Sequence, residues 1–531
     1  MPKQNIHYHQ TGYFSKLMCD YLAKDGATTP FYHRFPELSQ FKQQLEEKQK
    51  AFTSESRDIL VRELELQYKG TVISEATQRN ITSLSSDNTF TITTGHQLNL
   101  FTGPMYFLYK IFSVINLSEQ LSETYSDYNF VPVYWMATED HDFDEINYFN
   151  LYGKKMTWGR QSGGAVGELS NEGLDEVLNV VSAAFGNTVN GQRLTSLFSE
   201  AYVKHQNLAD ATRYLGNELF KEYGLVIIDA NRSSLKKVFT PYAELELTEN
   251  RSFKQVTQTT GRLVTAGYGE QVHPREINLF YLVEGIRERI ISEDGHFYVN
   301  DTDISFTSEE IKAELQEHPE RFSPNALLRP LYQEVILPNL CYIGGGGELA
   351  YWFQLKDYFE SVEVPFPILL LRNSALLVAT KYSVKLQNLN IDVAALFQKQ
   401  HELTASYTKE LSTINIDFSN QKKHLQQQFV DLYDLAKKTD ASFVGAVAAQ
   451  EKKQLNGLAH LEKRLLKAQK RKWGDQLERL TTIQDKLFPN MSLQERNTNF
   501  SEFYLEYGDA LLSVLKENLD PLFLEFTVLE L

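Results

Sequence analysis

The chain has 531 residues, 42% of them hydrophobic, with a formal net charge of −16 and a pI near 5.3. That is enough apolar material for a large core in two or more domains, and the acidic balance excludes a general nucleic-acid binder, which needs a basic surface. Two cysteines, Cys19 and Cys341, exclude a disulfide scaffold and a cysteine-rich zinc site.

The polar N-terminus lacks a signal-peptide core, and no apolar run approaches the ~18 residues of a membrane span. The expectation is a soluble cytoplasmic protein with no membrane partner. From Asp87 to Asn150 the text reads strand, glycine turn, helix, strand. "TFTITTG" is short and β-branched, "MYFLYKIFSVINLSEQL" is apolar at helical spacing, and "VPVYWMAT" is almost continuously apolar. A strand covered on both faces reads that way, and the order is a βαβ unit of a parallel sheet. More buried-strand text follows at Tyr223–Ala230, Asn339–Gly345 and Pro365–Asn373. The spacing predicts an α/β fold: one Rossmann-like parallel sheet within residues 1–375, interrupted by α+β insertions at about 151–222 and 233–330. The second insertion carries "NLFYLVEGIRERIISEDGHFYVN", whose alternation and "EDG" turn predict antiparallel hairpins.

After Ala375 glycine and proline nearly vanish. Leu425, Phe429, Leu432 and Ala436 mark one helix. Leu458, Leu461, Leu465 and Ala468 mark another, and Trp473, Leu477, Leu480, Gln484 and Leu487 resume its spacing after a one-residue offset. Residues 376–495 are therefore expected to form a long antiparallel helical hairpin of coiled-coil type, turning near "KKTDASFVG". Its apolar seam, drawn from Leu458 to Leu487, predicts a homodimer. Residues 496–531 return to the core as a helix and a final strand.

Ligands of parallel sheets bind beyond the carboxyl ends of the strands. Three loops occupy such places. In the first, Gly95 permits a tight turn while Thr94, His96 and Gln97 offer hydrogen bonds. The following helix aims its free N–H groups at this loop, which suits an anion or phosphate; a purely structural turn is the plainer reading. The second, "ATEDHDFDEINYF", packs Glu139, Asp140, Asp142, Asp144 and Glu145 around His141. A short helix N-terminus accounts for one or two of those acids. The rest predict a site for a cationic group, a metal such as magnesium, or a transferable proton, with Asp140, His141, Asp142 and Asp144 as catalytic candidates. The third, "YIGGGGELAYWFQL", puts Gly344, Gly345, Gly346 and Gly347 in a row before Glu348, so a ligand can approach the backbone closely. Upstream, Arg329 either reaches a carboxylate or phosphate, or pairs with Glu334. Weaker candidates are Tyr268, Gln271 and His273 before a strand, the basic run His460–Trp473, and a second pocket around Arg496, Asn499, Tyr504 and Gly508.

"TTGHQLNLFTGPMYFLYKI", "VPVYWMATEDHDFDEIN", "LRPLYQEVILPNLCYIGGGGELAYWFQL" and the closing "YG" helix together resemble the cysteine ligase family of bacillithiol biosynthesis (BshC), in order over nearly the whole chain. That family usually has Gln where this chain has His96, and commonly Pro where it has Gly346. The resemblance implies a Rossmann-like core with connecting-peptide insertions and a coiled-coil domain for dimerisation. It also implies a nucleotide pocket and the last pathway step, the addition of cysteine to glucosaminyl-malate. On that reading ATP or ADP, with magnesium, would lie at the glycine loops. The acids would hold the cysteine ammonium or the sugar amine, and His141 or Asp142 would take the amine's proton. A metal-dependent hydrolase or transferase built on the acidic cluster is the rival enzyme class, and a scaffold acting through the hairpin is the non-enzymatic one.

Overall fold

The computed structural model describes residues 3–531. Its centre is five strands: β1 (Thr89–His96), β2 (Asn129–Met136), β3 (Val226–Asp229), β4 (Asn339–Gly344) and β5 (Ile368–Leu371). All neighbours are parallel, in the order β5-β4-β1-β2-β3. Every residue of β1 is buried, as its β-branched sequence requires of a strand covered on both faces. Its threonines find partners inside the sheet: Thr91 and Thr93 share the Asn339 amide oxygen, and Thr94 donates to the Ile343 carbonyl at 2.7 Å.

Helix α1 (Tyr106–Thr124) follows β1 and is buried on nearly every side from Phe107 to Ser118. The sheet covers one flank, and the C-terminal helix Ala510–Asn518 covers another, where Asn116 bonds the Lys516 carbonyl. A second short helix, α2 (Gly346–Trp352), leaves β4 directly.

The insertion after β3 opens with helices Ser233–Glu249 and Arg251–Thr265. It then forms the expected antiparallel sheet, in the order Ser305–Thr307, His296–Val299, Ile286–Glu293, Leu279–Val283, Phe322–Pro324. Asp294 and Gly295 both take positive φ, the backbone of a tight two-residue hairpin turn, which the "EDG" text signals.

Helices Ser419–Ala436 and Ala441–Lys472 pack as a hairpin, and Asp440 caps the second by accepting from the Ser442 and Phe443 N–H groups. Phe429, Ala436 and Val447 form a small core of their own there. The seam expected from Leu458 to Leu487 does not run through. The long helix stops at Lys472, and Gly474–Leu487 is a separate helix whose Leu477, Leu480, Ile483 and Leu487 join the main core. The one-residue offset in the leucine spacing was the mark of that break. Leu480 is therefore core, whereas Leu461 is half exposed.

Sequence reading missed a third sheet. Ala375–Val378 and the N-terminal Lys3–Ile6 flank the final strand Phe526–Glu530. Three polar residues and one isoleucine give no strand signal of their own; the partner strand makes them one. The returning C-terminal segment is fastened tightly. Glu495 pairs with Arg372 at 2.7 Å and accepts from the Ala375 N–H, all buried. Asn499 binds the carbonyls of Phe101 and Gly103, and the Thr498 carbonyl accepts from the Met105 N–H at the start of α1. No helix among the described residues is long and apolar enough to cross a membrane.

Two outcomes test this packing. Glu495→Ala strands the Arg372 guanidinium without its carboxylate, and should cost about 3–5 kcal/mol in chemical denaturation; a loss below about 1 kcal/mol would show that the pair does not hold the segment. Glu502, nearby, has its carboxyl pushed up to about 7, chiefly by burial. A carboxyl raised on folding favours the folded state below its unfolded value and loses that contribution as pH rises through the folded one. The wild-type unfolding temperature should therefore fall more between pH 5 and 8 than that of Glu502→Gln, read by thermal melts across that range.

Candidate active site

The strand order reverses between β1 and β4, where connections leave in opposite directions. A crevice at such a switch point is where open parallel sheets bind ligands. Here it is a cavity of about 500 Å³. Its walls come from the end of β1, the loop after β2, the inserted sheet, and β4 with α2.

The floor is a buried charged network. The Lys110 ammonium, on α1, donates to the Gly95 carbonyl at 2.7 Å and to Glu348 Oε1 at 2.6 Å. Glu348 also accepts from the Tyr342 hydroxyl at 2.8 Å and the Gly345 N–H at 3.2 Å. Burial opposes ionisation of Glu348, but Lys110 and those donors outweigh it and hold the carboxyl below its usual range. Beside them lies Arg329, which donates to Gln333 at 3.1 Å and lies 5.5 Å from the Tyr342 ring. It has no carboxylate within 4.0 Å among the described residues. Glu334, its candidate partner from sequence, is instead held by the buried Lys48 at 3.2 Å.

The acidic loop forms the facing wall. Glu139 is matched by the buried Lys236 ammonium and accepts from Ser323 Oγ at 3.0 Å. Asp140 accepts from the Gln97 amide at 2.9 Å and from the His141 N–H at 2.8 Å. Gln97 also reaches Glu145, so one amide tethers two acids. His141 Nδ1 accepts from Arg287 at 2.6 Å, and Arg287 is itself fixed by Ser323 Oγ at 3.1 Å and laid over the Phe280 ring at 4.1 Å.

Of the sequence candidates, Gly95, His96, Gln97, Asp140, His141, Arg329 and Glu348 line this one cavity. The others do not. Thr94 is turned into the sheet by its bond to Ile343. Asp142 and Asp144 are exposed at and after the start of the four-residue helix Phe143–Ile146, away from the cavity lining. In the glycine run, close packing accounts for Gly344 and Gly346, whereas a Cβ on Gly347 would meet nothing within 4 Å. A Cβ on Gly344 would sit 2.9 Å from Tyr342, and one on Gly346 3.1 Å from Met18, while the Gly345 N–H is already taken by Glu348. Burial, and next the Lys110 ammonium, pull the His96 pKa down to about 3, so its ring is neutral at physiological pH. The N-terminus of α1 is met by the Thr498 carbonyl. Arg496, Asn499, Tyr504 and Gly508 do not line the cavity of about 360 Å³ near the expected second pocket, whose walls include Asn497, Thr498, Glu502 and Glu506, with Lys381 and Lys486.

Sequence reasoning missed Lys110, Arg287, Tyr342 and Tyr351. Lys110 had a signal, being the lone charge within the apolar run "MYFLYKIFSVINL". Arg287 had none, since it alternates with Glu288 and Arg289 in an ordinary strand. No three His, Cys, Asp or Glu side chains among the described residues converge as metal ligands would. Of Asp140, His141, Asp142 and Asp144, only the first two line the cavity.

Comparison with known proteins agrees with this architecture. Residues 1–373 match the family model described as bacillithiol biosynthesis BshC, N-terminal Rossmann-like domain, and residues 375–531 match the BshC C-terminal coiled-coil domain. Relatives named "Putative cysteine ligase BshC" occur in Christiangramia forsetii, 56% identical over 100% of this chain and 99% of the relative, and in Flavobacterium johnsoniae, 54% identical over 100% of both. One in Cytophaga hutchinsonii is 38% identical over 98% and 97%. The chain belongs to the BshC family of bacillithiol biosynthesis, with the Rossmann-like and coiled-coil domains that define it.

Proposed function

We propose that this chain joins the carboxyl group of L-cysteine to the amine of glucosaminyl-malate, the step that forms bacillithiol, in the cytoplasm. The observation that carries the reading is Arg329: a guanidinium at the floor of the cavity with no carboxylate of its own. Arginine binds carboxylates bidentately, and a malate group brings two. The names of the relatives support the same chemistry.

In the reaction the amine lone pair forms the new C–N bond. The leaving oxygen departs with the broken C–O pair, and the amine loses one proton to a base. Asp140 is the carboxylate of the cavity without a cationic side chain bonded to it, which suits it to hold the ammonium and then take that proton. We propose ATP or ADP, with magnesium, as the activating co-substrate. Unmatched donors in the cavity include those of Arg329 and the third hydrogen of Lys110.

The helical hairpin is proposed as a homodimer surface. Leu432, Leu435, Phe443 and Leu461 are all at least 40% exposed on it. Apolar side chains left in water along two packed helices favour a second copy.

Three outcomes follow. Purified protein given cysteine, glucosaminyl-malate and ATP with magnesium should yield the thiol product by mass spectrometry, and no product with any nucleotide would overturn the ligase reading. Arg329→Met should raise KM for glucosaminyl-malate about 10- to 100-fold, the worth of a charged hydrogen bond, while Asp142→Asn, outside the cavity, should turn over like wild type. Leu432→Glu with Leu461→Glu should sediment as a monomer with an unchanged melting temperature of the core; an unchanged oligomer would count against the hairpin as the interface.

A further inference from the structure

His141 is the histidine of the acidic loop, and the obvious role for it is a base. The geometry points elsewhere. Arginine carries only donors and stays protonated in proteins. Arg287 lies 2.6 Å from His141 Nδ1, so Nδ1 must accept, and an accepting Nδ1 leaves the ring's proton on Nε2. The competing arrangement is a proton on Nδ1 shared with Asp140, but Asp140 Oδ1 is 3.8 Å away, beyond hydrogen-bond reach, and already bonded to the His141 N–H at 2.8 Å. Arg287 does not depend on His141 for its own place. It is 8% exposed, and Ser323 Oγ, the Pro324 carbonyl and the Phe280 face fix it from the inserted sheet. Glu139, through the same Ser323 hydroxyl, faces it from the acidic loop. His141 Nε2 has no partner among the described residues, and its ring belongs to the cavity lining.

We propose that Arg287 is a positioning residue that holds His141 as the Nε2–H tautomer, so that His141 serves the site as a hydrogen-bond donor to a substrate oxygen and not as the proton acceptor. A donor of that kind strengthens as negative charge builds on the carbonyl oxygen under attack by the amine. The amine's proton then goes elsewhere, to Asp140 in the reading above. The catalytic role rests on the ligase reading; the tautomer does not.

The test uses the full chain with selectively ¹⁵N-labelled histidine, and His141→Gln assigns the resonance by its disappearance. At neutral pH wild type should show His141 with Nδ1 unprotonated and Nε2 protonated. An Nδ1–H tautomer or an imidazolium would overturn the proposal whether or not any ligase activity is found. Arg287→Lys keeps a donor and should keep that signature, whereas Arg287→Met should release the ring to a mixture of tautomers; a single unchanged tautomer in Arg287→Met would remove Arg287 from the positioning role. If Arg287→Met does not fold, wild type and Arg287→Lys still decide. In steady-state assays His141→Gln, which retains an N–H donor, should keep more kcat than His141→Ala, whose loss should be about 10²–10³-fold. Equal losses in both would overturn the donor role while leaving the tautomer to the spectra.

Discussion

One buried ammonium holds the centre of this molecule together. Lys110 ties the last carbonyl region of β1 to the first turn of α2 by bonding Gly95 and Glu348 at once. Glu348 in turn fixes Tyr342 on β4 and the Gly345 N–H. A buried ion pair is a poor source of stability by itself, because desolvating both charges costs several kcal/mol per ion. Here the cost is offset only because nearly every lone pair and proton finds a partner. The arrangement therefore fixes geometry more than it adds stability. It closes the crevice between β1 and β4 from below and leaves Arg329 beside it, charged and unmatched.

The acidic cluster reads differently once its partners are counted. Five acids in seven residues look like a receptor for cations. In the fold, Glu139 is neutralised by Lys236, Asp140 and Glu145 share the Gln97 amide, and Asp142 and Asp144 face water. Repulsion among the five is relieved by sending them in different directions. What remains in the cavity is one carboxylate, Asp140, opposite unpaired guanidinium. That pattern suits a substrate pair carrying both carboxylates and an amine better than it suits a metal, whose ligands must converge within a few ångströms.

Much of the fold was legible because periodicity reports burial directly. The continuous apolar run at Val131–Met136 and the β-branched run before Gly95 each map onto one strand, and the glycine-poor leucine text after Ala375 maps onto a succession of helices. The site was legible only in part, and for a physical reason. Side chains that act from loops at strand ends, such as Gln97, Asp140 and His141, announce themselves by being polar where an apolar strand stops. Side chains that reach the site from elsewhere do not. Arg287 comes from a strand of another sheet, and nothing local distinguishes it from a surface cation. Four glycines permit close approach without saying of what; Tyr342 approaches Gly344 and Met18 approaches Gly346.

The insertion is thus no ornament on the Rossmann-like core. Through Lys236 it neutralises Glu139, and through Ser323 it joins Glu139 to Arg287. The edge strand Phe322–Pro324 that carries Ser323 is also the strand that pairs with Leu279–Val283, which carries Phe280. Displacing that edge by one residue would reverse which side of the sheet each side chain occupies. Ser323 would leave Glu139, Arg287 would lose its anchor, and His141 would lose the donor that sets its proton. The register of a small antiparallel sheet, far from the strand ends in sequence, therefore fixes the protonation geometry of the loop at which the parallel sheet ends.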